Sequence, residues 1–367
     1  MTSILVLVGC WSLSFVNFQR AKSVCSSWYS ASREVISENH QILWLILFPE
    51  EDENNNNSCT LFNPEEKHKL YKTQDLGLEF AKSVCQATYG SWLLMRDPRY
   101  NLYILNLFTH EKIDLPSVES QLGTTKIKRG LDDWFLVSND QFERKVKDFG
   151  VGSPVIWIDE KTKEDYIVLW GLGSWCVFYA KKGDTSWNQV PGLSHCLHMV
   201  YKDHKLYFST TINSFTILDF SGEIPQQTFQ CDMQLFRFEL RRSHRLSSRL
   251  ITGDVLKVQR MIRPRSGSES FRVYKVYSSA GFPIYEQVDS LGDEAMLLDL
   301  GVTVLVDKEV EGLHRNSIYF SGSQGKKRNG IFIFNFETRK MESLQKFDCS
   351  SVQLSRARWF LPSFKRT

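Results

Sequence analysis

YILNLFTHEKIDLP, residues 103–116, reads as a strand that ends on Asn106, turns, and runs back as a second strand. Four further stretches repeat this theme: TLFNPEEKHKLY at 60–71, IWIDEKTKEDYIVLW at 156–170, TILDFSGEIP at 216–225 and FIFNFETRKMESL at 332–344. The pivots are Asn63, Asn106, Asp159, Asp219 and Asn335. Asn and Asp suit this place because their side chains bond the backbone two residues on and tolerate left-handed geometry, so each pivot can start a hairpin. Several units carry an earlier strand rich in aromatic residues: SWLLMRD at 91–97, HKLYFST at 204–210 and NSIYFSG at 316–322. Each unit is therefore more than a lone hairpin.

Asn63 and Asn106 lie 43 residues apart, and Asn106 and Asp159 lie 53 apart, close to the roughly 40–50 residues of one blade in a kelch- or WD-type propeller. The later gaps are wider and leave room for a divergent blade around VLKVQRMIRP at 255–264 and FRVYKVYSS at 271–279. The reading is a mainly β, propeller-like domain of about six or seven blades. The 10 Trp, 13 Tyr and 25 Phe can fill the spaces between twisted sheets, and aromatic and β-branched residues favour strands. An irregular β-sandwich is the alternative. A repeat of this period favours the propeller, because radial stacking buries both faces of each four-stranded sheet.

The N-terminal part has a different period. Phe15, Phe18, Ala21, Val24, Cys25, Trp28, Ala31 and Val35 recur at three- and four-residue steps, as on an amphipathic helix. After Glu38 this period stops, and the apolar run from Gln41 to Phe48, closed by Pro49, suits a buried strand. The expected organisation is a short helical segment over residues 1–39 and the propeller over 40–367. The EEDENNNN run at 50–57 falls between two strand-like runs and reads as a long solvated hairpin loop.

With 45 basic and 42 acidic residues the net charge is +3, too weak a field to imply nucleic acid or a membrane as partner. The apolar run from Ile4 to Val16 has no basic residue before it and no clear small-residue cleavage site, which disfavours a signal peptide. It is also shorter than the roughly 20 residues a spanning helix needs. These features place the chain in the cytoplasm, the nucleus or both. The cysteines at 10, 25, 59, 85, 176, 196, 231 and 349 form no CxxC pair, so reduced, mostly buried thiols are expected.

No GxxxxGK[ST] loop, HExxH pair, GxSxG elbow or kinase signature occurs, so the reading is a non-enzymatic protein without cofactor. The nearest thing to a metal constellation is His195, Cys196 and His198, where a strand would put Cys196 and His198 on one face. Two ligands do not make a zinc site. The acidic pairs Asp132–Asp133 and Asp293–Glu294 read as solvated turns, and RRSHRLSSR at 241–249 as a solvated loop without the interleaved aromatics of a nucleic-acid platform.

LSFVNFQRAKSVCSSW at 13–28 resembles the second half of a plant F-box, with Leu13, Arg20, Val24, Cys25 and Trp28 in matching places. Further along, KKGDTSWNQVP at 181–191, VYKDHKLY at 200–207, LGDEAMLLDLG at 291–301, RNSIYFSG at 315–322 and ARWFLP at 357–362 resemble the plant DUF295 domain. Together the resemblances cover nearly the whole chain. They imply a subunit that docks through its F-box on the Skp-type adaptor of a cullin-RING ubiquitin ligase and selects an unknown target protein with the propeller. Leu13, Phe18, Arg20, Val24, Cys25 and Trp28 would form the adaptor-binding stripe. Trp28 would be its anchor, or would instead pack within the chain. An F-box ordinarily opens with Leu-Pro and an apolar helix, whereas MTSILVLVGCWS stands there. The alternative expectation is therefore a propeller binding module uncoupled from ubiquitination.

Overall fold

The computed structural model describes residues 44–48, 57–62, 70–131, 134–159, 165–210, 214–232, 245–251, 256–262, 269–279, 282–299, 302–306, 313–324, 327–343 and 358–360. The helical pattern of residues 15–35 and pivot Asn63 lie outside them. The expected buried strand is present as β1 (Trp44–Leu47), buried along its whole length. It pairs antiparallel with β2 (Thr60–Phe62), so the acidic and Asn-rich run joins two strands of one hairpin, and β3 (Leu70–Lys72) follows on the outside. The fourth strand of this sheet comes from the other end of the chain. It is β29 (Arg358–Phe360), antiparallel to β1 with Leu45 opposite Trp359.

A short helix α1 (Leu78–Lys82) leads into the second sheet, β4 (Val84–Tyr89), β5 (Trp92–Arg96), β6 (Leu102–Asn106) and β7 (Lys112–Asp114). The third sheet is β12 (Val151–Ile158), β13 (Tyr166–Leu172), β14 (Cys176–Lys181) and β15 (Trp187–Gln189), extended by the parallel β8 (Gln121–Leu122). The fourth is β16 (Cys196–Lys202), β17 (Lys205–Thr210), β18 (Ser214–Asp219) and β19 (Gln226–Asp232). The fifth, the divergent blade, is β20 (Arg245–Ile251), β21 (Leu256–Ile262), β22 (Glu269–Ser279) and β23 (Phe282–Val288). The sixth is ordered β25 (Val302–Val306), β24 (Ala295–Asp299), β26 (Ser317–Gln324), β27 (Lys327–Asn335) and β28 (Met341–Ser343), with β24 and β26 parallel.

The innermost strands touch in the cyclic order β29, β4, β12, β16, β20, β25 and back to β29. The molecule is thus a β-propeller of six blades among the described residues. A further sheet, β9 (Lys126–Arg129), β10 (Phe135–Ser138) and β11 (Glu143–Val146), is inserted between blades two and three and has only three strands. Residues 245–249 of the basic stretch lie in β20, the innermost strand of blade five, rather than in a solvated loop, and residues 241–244 lie outside the described residues. The ladder to β21 absorbs the backbone groups that a loop would leave to water.

Blade strands are continuous apolar runs because both faces are covered. Leu93, Met95 and Leu105 pack toward Trp44 and Ile46 of blade one, while Leu94 and Ile104 on the opposite face pack toward Val168 and Trp170 of blade three.

The pivot turns have the expected chemistry. Asn106 Oδ1 accepts from the N–H groups of Phe108 and Thr109, each at 3.0 Å. Asn335 Oδ1 accepts from those of Glu337 and Thr338, each at 2.9 Å. The same turn recurs to the residue: His110 and Arg339, four places on, both have positive φ, 61° and 54°. Leu107 and Phe336 are buried and donate their N–H to Ser91 and Asn316 at the neighbouring turn. Asp219 caps Ser221 in the same way at 2.8 Å. Asp159 is different, because it follows the innermost strand β12 instead of a third strand. In blade three the equivalent place is Lys181, whose side chain cannot accept, and Asp184 Oδ2 reaches back to the Lys181 N–H at 2.8 Å.

Ring closure rests on Trp359, fully buried, edge-on to Tyr319 at 6.1 Å, with its carbonyl accepting from Thr88 Oγ1 at 3.0 Å. Trp359→Ala is expected to lower unfolding stability by about 3–5 kcal/mol, measured by urea denaturation. Asn106→Ala and Asn335→Ala, which each strand two turn donors, are expected to cost similar amounts, about 1–2 kcal/mol each. A marked difference between the two in the same assay would contradict the equivalence of the turns.

Candidate protein-interaction site

The adaptor-binding candidates Leu13, Phe18, Arg20, Val24, Cys25 and Trp28 all lie outside the described residues, as do Asp132 and Asp133. The SHCLH stretch is within them. His195 sits before the strand with φ 55° and donates its N–H to Ser174 O at 3.0 Å. A register shift between Cys196 and His198 breaks the alternation on which a shared face depended. Cys196 packs closely on Gly171, where an added Cβ would lie 2.9 Å from its own, which makes Gly171 the residue that lets β16 approach β13. Burial pushes its thiol up to about 12, and does the same for Cys59 and Cys176. Such thiols carry no thiolate near neutral pH and serve packing. Asp293 pairs with Arg315 at 3.2 Å in an exposed ion pair. No three His, Cys, Asp or Glu side chains come together as a metal site among the described residues.

The inserted sheet is the feature that the repeat pattern does not foresee. One face buries Ile127, Phe135 and Val137 against blades two and three, with Phe135 edge-on to Phe149 at 4.7 Å and Phe149 tilted on Trp170 at 6.0 Å. The segment entering it is tied down at both sides. β8 pairs with β15, Gln121 Oε1 accepts from the Ile127 N–H at 3.1 Å, and Gln189 Oε1 accepts from the Thr125 N–H at 2.9 Å. A small sheet held this firmly keeps its orientation relative to the blades.

The other face is wet and basic. Lys128, Leu136 and Lys145 stand opposite one another across the three strands. Beyond that row stand Trp134 and Lys147, and the Trp134 ring centroid lies 4.9 Å from Lys145 Nζ and 5.9 Å from Lys147 Nζ. Gly130, whose N–H donates to Trp134 O at 2.7 Å, leaves the place beside Trp134 without a side chain. Among the described residues no carboxylate pairs with Lys128, Lys145 or Lys147, all of them exposed. Leu131, in the turn beside Trp134, is 89% exposed. The signal was present in the sequence as KIKR at 126–129 and RKVK at 144–147, two alternating basic strands around an apolar one.

The KIB1-4 beta-propeller family model matches residues 61–335. Among Arabidopsis thaliana proteins named for the F-box, At4g22660 is 59% identical over 97% of this chain and 94% of its own length. At4g22180 is 58% identical over 96% and 90%, and At1g69090 is 38% identical over 96% and 89%. The likeness therefore extends beyond the blades to the segment that precedes them. On the six-bladed ring, the matched blades and this near full-length identity, the chain belongs to the KIB1-4 β-propeller family of plant F-box proteins.

Proposed function

We propose that the chain is the substrate-recognition subunit of an SCF-type (Skp–cullin–F-box) ubiquitin ligase, a binding protein without chemistry of its own. The observation that carries this reading is the 59% identity to an F-box-named protein over 97% of the chain. In this reading residues 1–39 dock on the Skp-type adaptor through the stripe of Leu13, Phe18, Arg20, Val24, Cys25 and Trp28, and residues 40–367 hold the target protein. The complex works in the cytoplasm, the nucleus or both. The propeller supports a receptor role physically, because a closed ring of mutually buried sheets is a rigid platform and its specificity can reside in whatever projects from it.

Co-purification of the full chain with a Skp-type adaptor tests this. Association is expected, and Trp28→Ala, which removes the aromatic anchor, is expected to weaken it by about tenfold or more with the thermal unfolding midpoint unchanged. A chain that fails to associate is a propeller binding module uncoupled from ubiquitination, and the ligase assignment falls.

A further inference from the structure

We infer that the wet face of the inserted sheet, centred on Trp134 between Lys145 and Lys147, is a docking surface for an extended acidic segment of a partner protein that carries an apolar residue between its carboxylates. The inference rests on the receptor reading only in calling that partner the target.

Charge complementarity argues for the occupant. Three ammonium groups, those of Lys128, Lys145 and Lys147, converge on one side of a sheet with no carboxylate paired to them among the described residues. Lys126, on the same face, is already engaged, donating from Nζ to Gln121 O at 2.6 Å. Glu143, opposite Ser138 in the same row as Lys126, marks the end of the basic zone and gives the face a polarity that a bound segment would read. Lys145 of β11 and Lys147, just past its end, are two residues apart, about 6.6–6.8 Å along an extended chain. Alternate side chains of an extended peptide have the same repeat, so successive acidic residues on one side of such a peptide can each meet one lysine.

Between these charges lies an apolar anchor point. The Trp134 indole, the half-buried Leu136 and the exposed Leu131 form it. Aromatic residues ringed by polar groups are where interface energy concentrates. The lysines also hold the indole in place, since an ammonium over the ring face is attracted to it.

Nucleic acid fits less well. A single-strand platform stacks successive bases on successive aromatics, and this face offers one. Duplex binding neutralises several phosphates, commonly about 6–10, against three lysines here.

The test uses the purified full chain and a fluorescein-labelled peptide alternating Glu with Leu, read by polarisation. Saturable binding is expected, weakening as salt rises, and lost with the same peptide carrying Gln for Glu. Lys145→Glu with Lys147→Glu is expected to weaken binding by about tenfold or more, and Trp134→Ala to weaken it with the salt dependence retained. Lys182→Glu with Lys205→Glu, on other parts of the propeller, is the matched control and is expected to bind as the unaltered chain does. Both double variants keep the apolar face of the insertion intact, and equal unfolding midpoints establish that they fold. Equal binding of the Glu and Gln peptides, no effect of the Lys145/Lys147 pair, or tighter binding of oligo-dT than of the acidic peptide would each overturn the inference. Adaptor co-purification with the unaltered chain and with the Lys145/Lys147 variant separates the two readings. In the unaltered chain, adaptor binding without saturable binding of the Glu peptide sinks the docking face alone, whereas peptide binding without adaptor binding sinks the ligase role alone; the Lys145/Lys147 variant is expected to keep the adaptor and lose the peptide.

Discussion

Three residues at the end of the chain hold the ring shut. Arg358–Phe360 add to the edge of β1 and complete the first blade from the opposite terminus, so the six sheets close instead of ending in two exposed faces. Bringing together ends more than 300 residues apart costs roughly 5 kcal/mol of loop entropy. A three-residue ladder is a weak opponent to that cost. The apolar surface buried with it is not: Trp359 and Trp44 are both almost fully buried, each contributing about 3 kcal/mol. Closure therefore depends on two tryptophans at opposite ends of the sequence more than on the hydrogen bonds between them.

The pivot turns are the second constraint, and they show how a weak repeat persists in a divergent sequence. Asn106 and Asn335 differ in almost every neighbour, yet the same side-chain caps, the same left-handed residue four places on and the same buried apolar residue next in line recur. The chain can change its strands freely as long as apolar stays apolar, whereas the turn needs an acceptor of one length at one place. Where Lys181 occupies that place the cap is a different one, with Asp184 accepting from the N–H of Lys181 itself. The turn is still closed by a carboxylate, but at another donor.

This is also why the sequence yields the fold more readily than the site. Continuous apolar runs such as WLLM and YIVLW, Asx pivots and first pivot spacings of 43 and 53 residues are readable without knowing what lies beside them. Blade count is blurred because the three-stranded sheet before β12 and the fifth strand of blade six stretch the period. Asp159 shares the Asn/Asp signature but serves a different turn, a distinction that only the strand order makes. The stretch 241–249 reads as a loop because charges dominate its composition, yet from Arg245 on its backbone groups find partners in a ladder with β21. The adaptor stripe came from resemblance and helical spacing, and lies outside the described residues.

The position of the basic face follows from the same physics that makes the propeller stable. A blade strand such as β5, β6, β13 or β14 is buried on both sides, so it cannot vary without disturbing a neighbour. The outermost strands β3, β7 and β28 are each only three residues long, too short to present an extended recognition surface alone, whereas β19 and β23 of blades four and five run to seven residues each but stand as single edges. The inserted sheet has neither restriction. Its inner face is fixed by Phe135 and Val137, its entry is pinned by Gln121 and Gln189, and its outer face leaves Lys128, Lys145 and Lys147 exposed. Three adjacent strands with one free face can change every outward residue at little cost to the core. A receptor built on a ring of doubly buried sheets is thus expected to carry its specificity on such an addition, where Trp134, Lys128, Lys145 and Lys147 stand.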